Sequence, residues 1–386
     1  MKTGETCSVA LILVPQKRVP ARRRRWAISL RLVSLAVMVL FVGIRGERAA
    51  NERAATTGLP REGSAEPRAA GFSPAALAPM TSSVASHAAV EESGADYRAR
   101  CASPGVIRCV GFDSPSDIRG HVDPNADGSV YPVIDNMLAA SGGGSLKFTV
   151  PSHSTANSSG QYWTEFADDL SVQFGAGQEF YIQWRQRFSP EMFQHFKEGN
   201  GWKQAIIGEG SRPGHIAYSC TPIEIVVENT FQVGAPRMYH SCGVKDGHYE
   251  GLEVHSSNGW LTQNALNCSH DRIAAPPCFK YKPNEWMTFQ VHIKIGTWYQ
   301  NDKKYHQDST VQLWVADEGK PSRMVIDFSP GRGTGYDLVN MDPAVKYGKI
   351  WLLPYDTNKD PSQDHPTAYT WYDELIISRQ RIPDPR

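Results

Sequence analysis

Alternation with a period of two constrains this chain more than any other feature. Leu146, Phe148 and Val150 alternate with Ser145, Lys147 and Thr149. Ile182, Trp184 and Phe188 stand opposite Gln183, Arg185 and Arg187, and Val291, Ile293 and Ile295 opposite Gln290, His292 and Lys294. Successive side chains of a strand point to opposite faces, so each run turns an apolar edge to a core and a polar edge away from it. Val311, Leu313 and Val315 repeat the pattern, and 350–355 and 369–378 read as the last two strands. Helical periodicity is weak; the best stretch, 189–197, is a turn or two opened by Ser189 and Pro190. The 33 glycines and 26 prolines punctuate the strands as turns. The expected fold class is all-β, two antiparallel sheets packed as a jelly-roll sandwich over residues 97–386.

One face of those strands is unusually polar. Gln183, Arg185, Arg187, Gln290, His292 and Lys294 all lie opposite the core positions of their strands, which marks that face as a candidate groove. In the stretch 237–243, Met238 and Cys242 are the inward residues, so Arg237 and Tyr239 look outward.

The N-terminus reads as an address. Arg22 to Arg25 precede an apolar stretch of 19 residues, Trp26 to Ile44, interrupted only by Arg31. That length just spans a bilayer, and the arginines stay cytoplasmic. Residues 1–44 are therefore expected to be a basic segment with a signal anchor or a signal peptide. Residues 45–96, rich in Ala, Ser, Glu, Arg, Gly and Pro, form a disordered linker. The folded domain is then secreted, or anchored on the extracytoplasmic side of a membrane that it touches only through its N-terminal segment. Cysteine usage agrees. Six cysteines fall in the domain, and proximity favours the pairs Cys101–Cys109, Cys220–Cys242 and Cys268–Cys278. No Cys/His spacing matches a zinc site.

Net charge is zero over the chain, but residues 97–386 hold 27 basic and 32 acidic residues, a balance of −5. Broad phosphate neutralisation is excluded as a binding mode, and with it a nucleic-acid partner of the usual kind. The domain reads as a monomer.

Several stretches together resemble a known family. They are Gly111-Phe112-Asp113-Ser114, Trp202 to Gly208, 225–229 leading to Met238-Tyr239-His240, Asn284 to His292, and Thr370 to Ser378 before Ile382-Pro383. Over roughly 105–386 the chain resembles concanavalin A-like jelly-roll polysaccharide lyase-like proteins, the heparin lyase I-like and the glucuronan and alginate lyase-like groups. Gln290-Val291-His292 has the form of the Gln-x-His that the alginate lyase-like groups carry on a concave-face strand. The chain departs from the family at two points. Arg185-Gln186-Arg187 only partly replaces its Arg-x-Glu-x-Arg strand, and 296–300 only echoes its Tyr-Phe-Lys-x-Gly-x-Tyr segment. The resemblance also implies a structural Ca²⁺ away from the groove, for which Asp113 and Asp373 are the candidate oxygen ligands. No cofactor is implied for the chemistry itself.

The implied activity is β-elimination on a uronic-acid-containing glycan. That reaction needs donors to neutralise the substrate carboxylate, a base for the proton beside it, and an acid for the leaving oxygen. The assignments are Gln290 and Arg185 as neutralisers with Arg237 as a third donor, His292 as base and Tyr239 as proton donor. Arg187, Lys203 and Lys294 add positive charge, and Trp163, Trp260 and Trp298 are the candidate sugar platforms. The expected partner is a carboxylated, unsulfated polysaccharide. Two other readings stand beside the lyase. One is a non-catalytic glycan-binding module of the laminin-G or lectin kind. The other is a glycoside hydrolase, which needs two carboxylates in the groove.

Overall fold

The computed structural model describes residues 93–194, 201–210, 212–214, 221, 223–230, 234–240, 260–263, 268, 278–300, 304–332, 335–339, 342–357 and 359–386. The expectations for the apolar segment, for the linker up to residue 92 and for the Cys220–Cys242 pair lie outside these residues. Among the described residues no helix is long and apolar enough to cross a membrane.

A helix, α1 (93–101), leads into the strands. In chain order these are β1 (Val106–Val110), β2 (Val122–Asp123), β3 (Val133–Asp135), β4 (Ser145–Val150), β5 (Gln161–Glu165), β6 (Glu179–Phe188), β7 (Gly201–Glu209), β8 (Glu224–Thr230) and β9 (Ala235–His240). They continue as β10 (Trp260–Leu261), β11 (Met287–Lys294), β12 (Thr297–Gln300), β13 (Lys304–Ala316), β14 (Arg323–Phe328), β15 (Tyr336–Val339), β16 (Tyr347–Leu352), β17 (Asp356–Thr357) and β18 (Ala368–Ser378). The expected short helix is α2 (Glu191–Gln194).

Two antiparallel sheets result. The ten-stranded sheet runs β12-β13-β11-β6-β18-β4-β3, with β1 on β18 and β14 and β15 on β13. The eight-stranded sheet runs β10-β9-β8-β7-β16-β5-β2, with β17 on β7. Between them lies one core. Leu146, Phe148, Phe180, Ile182, Trp184, Phe289, Val291 and Ile293 meet Tyr162, Ala205, Ile207, Ile225, Val227, Met238, Ile350 and Leu352 there. Trp184 stacks on Phe289 with centroids 5.5 Å apart. These are the apolar halves of the alternating runs, so the period read from sequence decides which face is inside.

The polar half of the ten-stranded sheet is a different matter. Much of it is sealed rather than open. The C-terminal tail lies over it: Ile382 N–H donates to Gln290 Oε1 (2.8 Å) and Gln290 Nε2 donates to Ile382 O (3.1 Å). Gln183 Nε2 donates to Pro383 O (3.1 Å). From α1, Arg100 donates to Asp96 (2.8 Å) and to Gln183 Oε1 (2.8 Å), and pairs with the buried Glu374. Backbone groups laid over a sheet face need partners once water is excluded, and the glutamine amides supply a donor and an acceptor each. A bulge between Asp373 and Ile376, with Glu374 at φ 51°, lets Asp373 and Glu374 both leave the core face, which Tyr372 and Leu375 keep. Cys101–Cys109 ties α1 to β1, and Cys268–Cys278 is also formed.

Asp113 and Asp373 hold one loop. Asp113 Oδ1 accepts from Gly143 N–H (2.5 Å), and Asp373 Oδ2 accepts from Ala140 N–H (2.7 Å) and Ser141 N–H (3.2 Å). Burial, with Glu374 alongside, raises the Asp373 carboxyl well above the usual range. Among the described residues no group of three or more His, Cys, Asp or Glu side chains is placed to hold a metal ion.

Candidate active site

The structure distributes the residues expected in one groove over two outer faces of the sandwich. His292, Gln290, Arg185, Arg187, Lys294 and Trp298 belong to the ten-stranded sheet; Lys203, Arg237 and Tyr239 belong to the eight-stranded one. Val291 and Ile293 beside His292, and Met238 beside Tyr239, fill the shared core. His292 and Tyr239 therefore point away from each other, across sheets roughly 10 Å apart. They cannot serve one sugar.

On the ten-stranded sheet the proposed donors are occupied. Gln290 spends its amide on the Ile382 backbone. Arg185, 8% exposed, faces Ala140 O (3.4 Å), Glu318 (3.6 Å) and Glu374 (3.7 Å). His292 presents both ring nitrogens to oxygens: Nδ1 lies 2.8 Å from Gln312 Oε1 and Nε2 lies 2.8 Å from Glu179 Oε2. Gln312 Nε2 is given to Asp327 (2.7 Å), which turns its oxygen to the imidazole. Both ring nitrogens are thus engaged within the protein rather than turned to an open groove. Arg187 is half-buried beside Trp371, Trp298 stands edge-to-face with His306 (5.2 Å) in the β12–β13 hairpin, and Lys294 is exposed.

The outer face of the eight-stranded sheet has another character. A cross-strand row runs Tyr239–Val226–Ile206–Trp351–Trp163 over β9, β8, β7, β16 and β5. Trp163, Ile206, Val226, Trp351 and Leu353 form an apolar cluster of their own, on which Tyr239 and Tyr355 lie half-buried. One row along, Lys203 is opposite Glu228, which is opposite Arg237. Glu228 accepts from Arg237 Nε (2.6 Å), and burial raises its carboxyl against that attraction. Lys203 Nζ sits 4.4 Å from the centroid of the Tyr355 ring. Its amine is pulled below the usual lysine range by burial, while Glu224 and Glu228 pull the other way.

Among these side chains Lys203, Tyr239 and Tyr355 keep partial exposure, whereas Glu228, Arg237, Trp163 and Trp351 are buried. Lys203 and Tyr239 are two strands and one row apart, a backbone separation of about 10–12 Å from strand spacing and rise. They place one amine and one phenol on the same face. Further along, Lys349 is wholly buried: its Nζ donates to Arg212 O (2.8 Å) and faces Glu165 (3.7 Å), while Glu165 accepts from Gly214 N–H (2.5 Å). That pair pins the turn 212–214 at one end of the face.

Trp351, Tyr355 and Lys349 were not among the expected site residues. Their stretch, Lys349 to Tyr355, is apolar on both phases, so polarity gives no sign of which face looks out. The signal was the aromatic pair Trp351 and Tyr355, four residues apart and therefore on one side of an extended chain.

Asp356 follows Tyr355 and is 1% exposed, with neither carboxylate oxygen hydrogen-bonded. Burial pushes its carboxyl up from 3.8 to about 7, Lys359 opposing. A carboxyl raised on folding stabilises the fold fully below its unfolded pKa and loses that contribution as pH rises through the folded one. Asp356→Asn is thus expected to match the wild type in denaturant midpoint near pH 4. At pH 8 it should be more stable by on the order of 2–4 kcal/mol. Equal stabilities at both pH values would remove this account of Asp356.

No protein-family model and no characterised protein sequence matches the chain. Similar folds are found among solved structures. The marine PL-14 alginate lyase from Aplysia kurodai is 11% identical, with a TM-score of 0.44, over 72% of this chain and 99% of that one. Alginate lyase Aly36B is 14% identical, with a TM-score of 0.38, over 73% of this chain and 100% of that one. The botulinum neurotoxin serotype G binding domain is 9% identical, with a TM-score of 0.35, over 72% of this chain and 48% of that one. Two of these neighbours are thus named alginate lyases and the third a binding domain.

Proposed function

We propose that the protein is a polysaccharide lyase-like enzyme that cleaves a uronic-acid-containing glycan by β-elimination on the outer face of its eight-stranded sheet. The observation that carries this is the pairing of Lys203 and Tyr239 on one aromatic face, each partly exposed, with the Lys203 amine held low by burial. In its deprotonated form, which burial favours, the Lys203 amine takes the proton beside the substrate carboxylate. The bond to the leaving oxygen breaks as the double bond forms, and the Tyr239 phenol gives its proton to that oxygen. Arg237, buried and ion-paired with Glu228, holds the polar row on which Lys203 stands. Tyr355, half-buried on the Trp163 and Trp351 cluster, offers apolar ring surface to a sugar.

The test is the ultraviolet absorbance of an unsaturated uronate during incubation with alginate, glucuronan, pectate, heparin and chondroitin. Absorbance should grow on an unsulfated polymer. Flat traces on all five with folded protein contradict the proposal.

A binding module is the second reading. What favours it is that Glu228 engages Arg237, the one arginine of this face assigned to the substrate carboxylate. It predicts saturable glycan binding without shortening of the chains.

A further inference from the structure

The ten-stranded sheet carries a cleft that the lyase reading does not use. It has a volume of about 720 Å³, and Glu179, His292, Lys294, Asp308, Thr310 and Gln312 line it. That lies within the roughly 300–1,000 Å³ of small-ligand sites. Its wall is built rather than accidental. Tyr181, His292, Gln312 and Asp327 are aligned residues of β6, β11, β13 and β14. Asp327 accepts from Gln312 (2.7 Å), Gln312 faces His292 (2.8 Å), and His292 faces Glu179 (2.8 Å). The row fixes the orientation of every polar group in it, and Tyr181 stacks on the imidazole at 4.2 Å with the rings 1° from parallel. Trp314, half-buried, lies 6.2 Å from the same ring. At the far wall Asp308 is held at φ 57°, a left-handed conformation that non-glycine residues rarely keep without cause.

The ligand class follows from this lining. Two carboxylates, Glu179 and Asp308, line the cleft with one ammonium, Lys294, so its fixed charge does not attract a polyanion. It offers donors and acceptors side by side, which vicinal hydroxyls match because each can donate and accept. The aromatic stack at its edge suits the apolar face of a sugar ring. We propose that this cleft is a second carbohydrate-binding site, which takes a neutral saccharide. It lies on the opposite side of the core from Lys203 and Tyr239, and it stands whether or not that face is catalytic.

The experiment follows the His292 imidazole NMR signals in the labelled full chain during titration with cellotetraose, mannotetraose and a hexuronate tetrasaccharide. A neutral tetrasaccharide should shift both ring nitrogens saturably, and Thr310→Trp, which fills the cleft, should weaken that binding by about tenfold or more. Lys294→Ala, at an exposed position, provides the same comparison if the larger side chain is not accommodated. The hexuronate should leave the signals in place. No shift with either neutral sugar up to about 10 mM, a shift untouched by both variants, or a stronger response to the hexuronate would each overturn the proposal.

Discussion

Lys203→Ala is expected to lower turnover on the confirmed substrate by at least about 100-fold, the usual scale for loss of a general base. Its melting temperature should stay near that of the wild type, because Lys203 is partly exposed and lies on the outer face rather than in the shared core. Lys203→Arg separates two roles. An arginine keeps the positive charge and never gives up its proton at working pH. If Lys203 only neutralised the carboxylate, the arginine variant would retain much of the rate; as a base it should be as inactive as the alanine variant. The pH profile carries the same information. A base acts unprotonated, so kcat/KM rises with pH through its pKa, and burial of Lys203 moves that rise below the range of a free lysine. A profile that falls over that range would contradict the assignment.

Arg100→Ala is expected to cost about 3–5 kcal/mol of stability, read as a shift of the denaturant midpoint. Arg100 is 3% exposed and Glu374 1%, and Arg100 also holds Gln183 and Asp96. Its removal leaves a buried carboxylate facing only the more distant Arg185 at 3.7 Å. Breaking one side of a buried pair is far more costly than removing both. Arg100→Met together with Glu374→Gln should therefore recover much of the loss. If the double variant is no better than the single, the cost lies in the packing of α1 rather than in the charge.

These two predictions show where sequence and structure part. Alternation around Phe148, Trp184 and Phe289 was legible because a half-buried strand writes its core face into every second residue. The outward phase of Arg237 and Tyr239 was legible for the same reason, once Met238 was taken as inward. What alternation does not carry is what lies over a polar face. Gln183 and Gln290 read as groove residues, yet each binds the backbone of a tail some 90 to 200 residues further along the chain. No local pattern encodes that contact. Nor does period two say which strands share a sheet, and His292 and Tyr239 were joined in one site for want of that knowledge. The bulge at Asp373–Ile376 is a third case, since it turns two adjacent acids to the same side against the alternation around them.

The central claim is that substrate lies on the eight-stranded sheet, and the most direct measurement is a crystal structure of the Lys203→Ala variant soaked with a hexuronate tetrasaccharide. The account predicts sugar density between Tyr239 and position 203, with a ring over Tyr355. Hexuronate density against His292 and Lys294, with the Tyr239 face bare, would contradict it.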